Sequence, residues 1–412
     1  MFEFRNGSLH AESVPLETIA REFGTPCYVY SRAALAAALT RFQAACGGHD
    51  ALVCYAMKAN SNLAVLNLFA GMGAGFDIVS GGELARVIAA AGDPGKVVFS
   101  GVGKSTAEMR YALQSGILCF NVESGAELAR LAAVAGEMGR RAPVSFRVNP
   151  DVDARTHRYI STGLKKDKFG VEFDAAPELY RAAARLPQID VVGIDCHIGS
   201  NLVEYAPLIE ALDKMLGLVD RLAAEGIRLR HLDLGGGLGI RYRDETPPDV
   251  GVYMREVFER VGERKLKLLF EPGRNLVGNA GVLLTRIEYL KPGAARNFAV
   301  VDAAMNDLIR PVLYDAWHDI VGVRNNGGPK TVYDVVGPVC ESADFLGKER
   351  ELAVREGDLL AVMSAGAYAM CMSSNYNSRP RAAEVMVDGS RTHLVRERER
   401  PEALFALEHV LR

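Results

Sequence analysis

The sequence predicts an α/β + β fold, in which a TIM-like (β/α)8 barrel is followed by a C-terminal β-rich domain of the barrel or sandwich type. Eight apolar segments of strand length alternate with helical patterns over about 220 residues, the element count of a closed barrel. Reactive side chains and glycines follow these segments at one end, where such barrels carry their active sites. Past residue 280 the pattern changes to short strands joined by turns rich in Gly, Asn and Pro, and the predicted strands are Gly281–Lys291, Asn297–Val301, Thr331–Val336, Asp358–Met363 and Ala383–Val387.

The predicted barrel strands are 51–57, 75–79, 96–100, 118–122, 143–149, 190–197, 231–235 and 266–271. Three helices between them begin with Ser-x-x-Glu, which is typical of a capping box, at Ser80/Glu83, Ser105/Glu108 and Ser124/Glu127. The longest helix is predicted over 204–225, and Gly226 ends it. An open doubly wound sheet is the competing fold, but it usually has a glycine-rich loop after its first strand, where this chain has Lys58.

This division of the chain predicts two domains. Residues 31–280 form the predicted barrel, and residues 281–412 form the β-rich domain. The segment Phe2–His10 has alternating apolar and polar residues around the dipeptide Asn6-Gly7. This combination is a strong signal of a β-hairpin. Because the hairpin precedes the barrel, we expect residues 1–30 to join the β-rich domain.

Composition excludes several classes of protein. The 412 residues are 49% hydrophobic and 24% charged, with a net charge of −3, which gives no reason to expect nucleic acid or an anionic membrane as a partner. No apolar run approaches the ~18 residues of a membrane span, and residues 1–20 lack the layout of a signal peptide. The seven cysteines are scattered without CxxC pairs, and the eight histidines show no metal-ligand spacing. We therefore expect a cytoplasmic protein without a metal site.

Lys58 directly follows the apolar segment 51–57. A lysine at the carboxyl end of a buried strand can be desolvated, which lowers the pKa of an amine and suits it to Schiff-base chemistry. From this segment alone, a structural lysine whose stem is buried and whose ammonium reaches water is the simpler interpretation. The residues at the other strand ends favour the interpretation that Lys58 takes part in Schiff-base chemistry.

Those strand ends carry Asp77 with Ser80-Gly-Gly82, His197-Ile-Gly-Ser200, Gly235-Gly-Gly237 and Glu271-Pro-Gly-Arg274. The three consecutive glycines let backbone N–H groups converge on an anion such as phosphate, although they also suit an ordinary turn. His197 is either a core histidine or a flat ring on which a cofactor stacks. Glu271 ends a buried apolar strand, so its carboxylate needs a cationic partner, and a protonated pyridine nitrogen would serve.

The sequence resembles the diaminopimelate decarboxylase family, which consists of pyridoxal-phosphate enzymes with an alanine-racemase-like barrel. The resemblance covers essentially the whole chain. It is carried by Tyr55-Ala-Met-Lys-Ala-Asn60, Phe76-Asp-Ile-Val-Ser-Gly-Gly-Glu-Leu84, Cys196-His-Ile-Gly-Ser200, Leu234-Gly-Gly-Gly-Leu-Gly239, Glu271-Pro-Gly-Arg274, Met305-Asn-Asp-Leu-Ile-Arg-Pro311, Gly337-Pro-Val-Cys-Glu-Ser342 and Ser374-Asn-Tyr-Asn-Ser-Arg-Pro380. The first five motifs also occur in related amino-acid decarboxylases, whereas Asn-Asp-Leu-Ile-Arg-Pro is associated with this family.

The resemblance implies a role for each matched residue. Lys58 would form a Schiff base with pyridoxal phosphate, and Cys340 would protonate the carbanion left when carbon dioxide departs. The cofactor would also be bound by His197, Ser200, Gly236, Glu271, Gly273, Arg274 and Tyr368, with Glu271 keeping the pyridine nitrogen protonated. The substrate would be bound by Arg274, Arg310, Tyr314, Glu341 and Tyr368. The β-rich domain would contribute to substrate binding and to a homodimer with composite active sites.

Two features stand apart from these roles. Asp195 occupies a position where relatives often carry histidine, and it lies on the same side of its strand as His197. The loop Asp151–Phe169 is interpreted mainly as a solvated loop, with closure over an anionic substrate as the alternative. It contains the basic residues Arg155, His157, Arg158, Lys165 and Lys166.

The resemblance implies decarboxylation of meso-2,6-diaminopimelate to L-lysine and carbon dioxide, the last step of bacterial lysine biosynthesis. A decarboxylase of ornithine, arginine or lysine is the nearest alternative, but its substrates lack the distal carboxylate that Arg310 and Tyr314 would bind. An amino-acid racemase of the same fold is disfavoured because racemases carry arginine at the position of Glu271. A vitamin carrier that only binds the cofactor would not require Arg310 or the Cys340-Glu341 pair.

Overall fold

The structure, a computed structural model, describes residues 2–153, 168–325 and 327–411. Contacts divide the chain into two compact units. One unit comprises residues 38–240 and 246–275, and the other comprises residues 1–37, 241–245 and 276–412. The basic residues Arg155, His157, Arg158, Lys165 and Lys166 of the predicted 151–169 loop lie outside the described residues. Within the described part of the chain, no helix is long and apolar enough to cross a membrane.

The first unit is built on a closed barrel of eight parallel strands, as predicted. In chain order, barrel strands 1 to 8 are Ala51–Ala56, Gly75–Ile78, Val97–Phe99, Cys119–Val122, Ala142–Asn149, Ile189–Asp195, His231–Asp233 and Lys267–Phe270. Each strand pairs in parallel with the next, and strand 8 pairs with strand 1 to close the barrel. A short strand, Val171–Glu172, pairs in parallel with the carboxyl end of barrel strand 5. The carboxyl ends of all eight strands therefore meet at one end of the barrel.

Helices connect the barrel strands, and their amphipathic faces supply buried leucines and valines to the layer outside the barrel. Those between the strands are Leu63–Gly71, Gly81–Ala89, Thr106–Ser115, Gly125–Glu137, Ala176–Ala184, Ala206–Ala224 and Val250–Val261. The helix Arg32–Ala45 precedes strand 1, and the short helix Arg274–Val277 follows strand 8. The helix Ala206–Ala224 matches the predicted 204–225, and Gly226 follows it with a positive φ of 86°.

The three predicted capping boxes differ in detail. Ser105/Glu108 is a complete box, in which each residue's side chain accepts a hydrogen bond from the other residue's backbone N–H. In Ser80/Glu83 and Ser124/Glu127 the serine caps the helix, but the glutamate carboxylate accepts from the N–H of the residue before the serine. The reciprocal half of those two boxes was therefore predicted wrongly, because each carboxylate reaches one residue further back along the chain.

The second unit is β-rich. Its strands are Phe2–Arg5, Ser8–Ala11, Val14–Pro15, Cys27–Ser31, Gly281–Lys291, Phe298–Val301, Ile320–Gly322, Thr331–Val336, Phe345–Leu352, Leu359–Val362, Ala383–Asp388 and Arg391–Arg396, with helices Leu16–Phe23 and Arg310–Tyr314. The first two strands form the predicted hairpin, with Asn6 and Gly7 both at positive φ. Cys27–Ser31 lies between Gly281–Lys291 and Ala383–Asp388 in a nine-stranded sheet, so N-terminal and C-terminal segments share one core.

Candidate active site

Lys58 lies in a single 3-10 turn, Met57–Ala59, that directly follows barrel strand 1. Its Nζ is 2.8 Å from Oδ2 of Asp77 at the end of barrel strand 2. The Asp77 side chain is fully buried, whereas that of Lys58 is 39% exposed. A carboxylate is buried in this way only where a cation or hydrogen bonds compensate for its lost hydration. The ammonium is therefore held at the carboxyl end of the barrel, partly accessible from outside.

The glycine turn after barrel strand 7 leaves no room for side chains. A Cβ on Gly236 would lie 2.3 Å from the carbonyl oxygen of Glu271, and one on Gly235 would lie 2.7 Å from Nδ1 of His197. Gly235 and Gly237 also have positive φ angles of 60° and 121°. The N–H of Gly235 donates to Oδ1 of Asp233 at 2.9 Å, which fixes the start of the turn. Only glycine fits here, as a backbone cradle for an anion requires.

His197 follows barrel strand 6 and contacts this turn. The Gly236 N–H donates to Nδ1 of His197 at 3.2 Å, so Nδ1 carries a lone pair. Desolvation, together with the charges of Arg147 and Lys58, lowers the pKa of His197 well below its usual value. The imidazole is therefore neutral at physiological pH and offers a flat, uncharged ring next to the glycine turn.

Glu271 follows barrel strand 8 and is only 7% exposed. Its carboxylate forms a buried cluster with Asp195 and Asp233, in which one oxygen of each residue lies within 4.8 Å of the others. One oxygen of each carboxylate has no hydrogen-bond partner among the described residues. Burial, reinforced by repulsion between the carboxylates, raises the pKa of Glu271 and of Asp195 well above the usual values. Burial also raises the pKa of Asp233, to about 7.

Asp195, for which the sequence indicated no partner, thus faces two other acids. Three buried carboxylates at this distance cannot all be ionised without cations, because like charges at low dielectric repel strongly. Arg147 on barrel strand 5 is the basic residue whose charge opposes the raised pKa of both Asp195 and Asp233. The cluster therefore favours bound protons or an added cation at Glu271.

Two members of this site were missed in the sequence. Arg147 is buried, lies 3.8 Å from Oε1 of Glu123, and donates from Nη2 to the carbonyl oxygen of His197 at 3.5 Å. Asp233 is fully buried at the end of barrel strand 7. The available signal was a charged residue inside an otherwise apolar strand, because burial of an isolated charge is costly.

The turn after Glu271 holds the remaining predicted residues of the barrel. Arg274 begins a helix and donates from Nη2 to Oγ of Ser200 at 3.3 Å, which joins the strand 8 and strand 6 ends. Gly273 packs closely against the start of the chain's first barrel loop, since a Cβ there would lie 3.1 Å from the carbonyl oxygen of Ala56. The structure therefore brings together Lys58, His197, Ser200, Gly236, Glu271, Gly273 and Arg274.

These groups fit pyridoxal phosphate. The cofactor needs an amine for its aldehyde, N–H donors for its phosphate, a flat neighbour for its ring and an acid for its pyridine nitrogen. Lys58, the glycine turn, His197 and Glu271 match these needs in turn. The oxygen of Glu271 that lacks a protein partner is the strongest single indication, because a buried carboxylate of this kind requires a donor.

The β-rich unit contains the other predicted residues. Arg310 begins the helix Arg310–Tyr314 and is 5% exposed, and Tyr314 ends that helix half-buried. Cys340 and Glu341 are both exposed in the single chain, where the Cys340 N–H donates to Oδ1 of Asn377 at 3.1 Å. Tyr368 has a positive φ of 54°, a conformation that costs a bulky residue energy and is concentrated at functional sites.

The comparisons with known proteins agree on the family. Residues 32–278 match the pyridoxal binding domain of pyridoxal-dependent decarboxylases. The diaminopimelate decarboxylase of Pseudomonas aeruginosa is 61% identical over 410 residues, covering 100% of this chain and 99% of the relative, and that of Vibrio cholerae is 60% identical over 98% of each. The crystal structure of diaminopimelate decarboxylase from Helicobacter pylori complexed with L-lysine has a TM-score of 0.93 and 40% identity, covering 95% of this chain and 99% of that one. The chain belongs to the diaminopimelate decarboxylases, a family of pyridoxal-dependent decarboxylases.

Proposed function

We propose that this chain removes the carboxylate at the D-centre of meso-2,6-diaminopimelate, giving L-lysine and carbon dioxide as the last step of bacterial lysine biosynthesis. The observation that carries the proposal is the collection of Lys58, His197, the glycine turn and Glu271 at one end of the barrel. Identity of 61% over the full chain with a diaminopimelate decarboxylase supports the choice of substrate.

The barrel residues hold the cofactor and set its charge. Lys58 would hold it through the amine, the Gly235–Gly237 N–H groups with Ser200, Gly273 and Arg274 would bind its phosphate, and Tyr368 would also contact it. His197 provides the ring on which it stacks. Glu271 keeps a proton at its pyridine nitrogen, which relieves the repulsion within the carboxylate cluster. Pyridoxal phosphate, when bound, supplies the sink for the electron pair that remains as carbon dioxide leaves.

A second set of residues binds the end of the substrate that does not react. Arg310 and Tyr314, with Arg274, bind the distal carboxylate, and Glu341 binds the distal ammonium. These assignments match charge to charge, and Arg310 is buried, where an ion pair with a carboxylate is screened little by water. Tyr368 also contacts the substrate.

Cys340 donates the proton that replaces the departing carboxylate at the D-centre. Thiols are mostly protonated at neutral pH and can act as acids. Because Cys340 and Glu341 are exposed in the single chain, we assign them to the active site of the partner in a homodimer. We also assign the enzyme to the cytoplasm, since all seven cysteines, including exposed Cys340 and Cys371, are free thiols.

The experiment that tests this function is mass-spectrometric identification of the product formed from meso-diaminopimelate. The expected products are L-lysine and carbon dioxide in equal amounts. Turnover of L-ornithine, L-arginine or L-lysine at a comparable rate would favour the alternative decarboxylases, and diaminopimelate stereoisomers without carbon dioxide would favour a racemase.

A further inference from the structure

Arg310 is held by a histidine to which no role has been given. Its Nη1 donates to Nε2 of His318 over 2.8 Å. Both side chains are buried, with 5% of Arg310 and 0% of His318 exposed. A guanidinium has donors only, so Nε2 of His318 must present its lone pair to Arg310.

The hydrogen-bond partner of the other ring nitrogen of His318 is also defined. Nδ1 of His318 lies 2.8 Å from the carbonyl oxygen of Met363, which can only accept, so the ring proton is on Nδ1. The Met363 N–H donates to the carbonyl oxygen of Asp319 at 2.8 Å, and Nη2 of Arg350 donates to the carbonyl oxygen of His318 at 3.0 Å. Backbone and ring are thus both fixed, and the imidazole is one neutral tautomer.

An aromatic ring also supports Arg310. Its guanidinium carbon lies 4.8 Å from the centre of the Tyr242 ring, and Tyr242 meets the His318 ring edge-on at 5.3 Å. A neutral nitrogen and a ring face orient a guanidinium without cancelling its charge, whereas a carboxylate in the same place would neutralise it.

Further cations lie close by. The Trp317 ring is contacted by the guanidinium carbons of Arg350 at 3.1 Å and Arg243 at 4.3 Å. Burial lowers the pKa of Arg350 to about 10, opposed by the charge of Asp319 and reinforced by that of Arg243. Arg310 and Arg350 are buried and Arg243 is exposed, and this concentration of guanidinium groups favours an anionic ligand over a cationic one.

We propose that His318 is the positioning residue that orients Arg310 toward the distal carboxylate of the substrate and so sets the preference for ligands that carry it. This inference rests on the proposed function in its assignment of Arg310. His318 itself touches neither substrate nor cofactor in this scheme, and acts through the direction in which it holds the guanidinium.

Two ligands that differ only in this group provide the test. L-lysine keeps the distal carboxylate of diaminopimelate, whereas cadaverine lacks it. Their dissociation constants are measured with the holoenzyme from the change in visible absorption of the bound cofactor. The ratio of the two constants isolates the contact with the carboxylate, because losses of general stability or of cofactor affect both ligands.

His318→Phe keeps a ring of similar size but removes the acceptor, and should lower the preference for L-lysine about 10- to 100-fold, the usual effect of losing a hydrogen bond to a charged group. Cadaverine affinity and the cofactor spectrum should not change. His318→Gln retains an acceptor and should restore most of the preference. His393→Phe, at an exposed histidine of the same unit, is the matched control and should behave as wild type.

Arg310→Gln separates the possible failures. If Arg310→Gln abolishes the preference for L-lysine over cadaverine while His318→Phe leaves that preference unchanged, the role assigned to His318 is wrong and that of Arg310 stands. If neither variant alters it, both assignments are wrong. A second measurement needs no variant that must fold: ¹⁵N NMR of the histidine-labelled wild-type holoenzyme should show His318 protonated at Nδ1 only, and a proton on Nε2 would overturn the inference.

Discussion

The carboxylates of Asp195 and Glu271 lie within 4.8 Å of each other inside the barrel, with Asp233 as the third member of their cluster. Both residues are buried, and burial raises the pKa of each well above its usual value. A group whose pKa is higher in the folded than in the unfolded protein stabilises the fold at low pH and loses that contribution as pH rises through its folded pKa. For Asp233 this loss extends from about pH 4 to about pH 7.

Asp195→Asn should therefore stabilise the apoprotein at pH 8, because asparagine fills the same space and adds no charge to the cluster. We expect a gain of about 1–3 kcal/mol in the free energy of unfolding at pH 8 and a smaller gain at pH 5. Urea unfolding between pH 5 and pH 8 measures it. Asp174→Asn, at an exposed position, is the control, and an Asp195→Asn protein with the pH dependence of wild type would refute the coupling.

Gly236→Ala should prevent cofactor binding, because the added methyl group would lie 2.3 Å from the carbonyl oxygen of Glu271 and displace the turn. We expect at least a 100-fold weaker affinity for pyridoxal phosphate, the order of effect of losing several backbone donors to a charged group. Spectroscopic titration of the apoprotein gives the affinity. The control is Gly217→Ala, where a Cβ meets nothing within 4 Å, and this variant should bind the cofactor normally. Normal binding by Gly236→Ala as well would show that the glycine turn does not bind the phosphate.

Wild-type enzyme should discriminate against L-ornithine and L-lysine as substrates through Arg310 and Arg274. A substrate without the distal carboxylate leaves buried guanidinium charge uncompensated, at a cost of about 3–5 kcal/mol, or roughly 10²–10³-fold or more in kcat/KM. Arg310→Gln should remove most of this discrimination, whereas Arg355→Gln at an exposed site should not. The measurement is kcat/KM for meso-diaminopimelate, L-ornithine and L-lysine. Similar values for the three in wild type would show that the substrate assignment is wrong.

The barrel was predictable because its strands are buried on both faces. Each of the eight predicted segments overlaps an observed strand, with bounds that differ by at most two residues. The strands Ile320–Gly322, Phe345–Leu352 and Arg391–Arg396 were missed, and all three lie at edges of the β-rich sheet. Phe345–Leu352 and Arg391–Arg396 carry several charged residues, as edge strands commonly do to discourage pairing with other chains, so they lack the apolar pattern by which strands are recognised. Ile320–Gly322 is apolar but only three residues long.

The residues of the candidate site could also be predicted only in part. The strand-end residues Lys58, His197 and Glu271 stood out because the carboxyl ends of barrel strands meet. The partners of Asp195 could not be predicted, because the sequence does not show which inward-facing side chains meet across the barrel. His318 gave no signal either, because its bond to Arg310 depends on the path of the chain between them. The catalytic and binding roles of the strand-end residues stay predictions until tested.

Subunit exchange tests the composite active site. Lys58→Ala and Cys340→Ala should each be inactive alone, because one lacks the amine and the other the proton donor. Random exchange makes half of the dimers mixed, and each mixed dimer has one intact and one doubly altered site, so activity should recover to about a quarter of wild type. Lys265→Ala mixed with Cys340→Ala is the matched control and should keep about half of wild-type activity whether or not subunits exchange, since Lys265 is exposed. A mixture that exchanges subunits and stays inactive would place Cys340 in the active site of its own chain.

The most direct measurement locates the lysine that holds the cofactor. Lys104 is the competing buried lysine of the barrel, but its Nζ already donates to the carbonyl oxygens of Gly101 and Asn121 and to Glu127 at 2.7–2.8 Å. The holoenzyme is reduced with borohydride, digested and mapped by mass spectrometry. The pyridoxyl group should be found on Lys58 alone, and Lys58→Ala should lose both the visible absorption band and turnover, by roughly 10³-fold or more. A pyridoxyl group on Lys104 or on any other lysine, with the band intact in Lys58→Ala, would contradict the central role of Lys58.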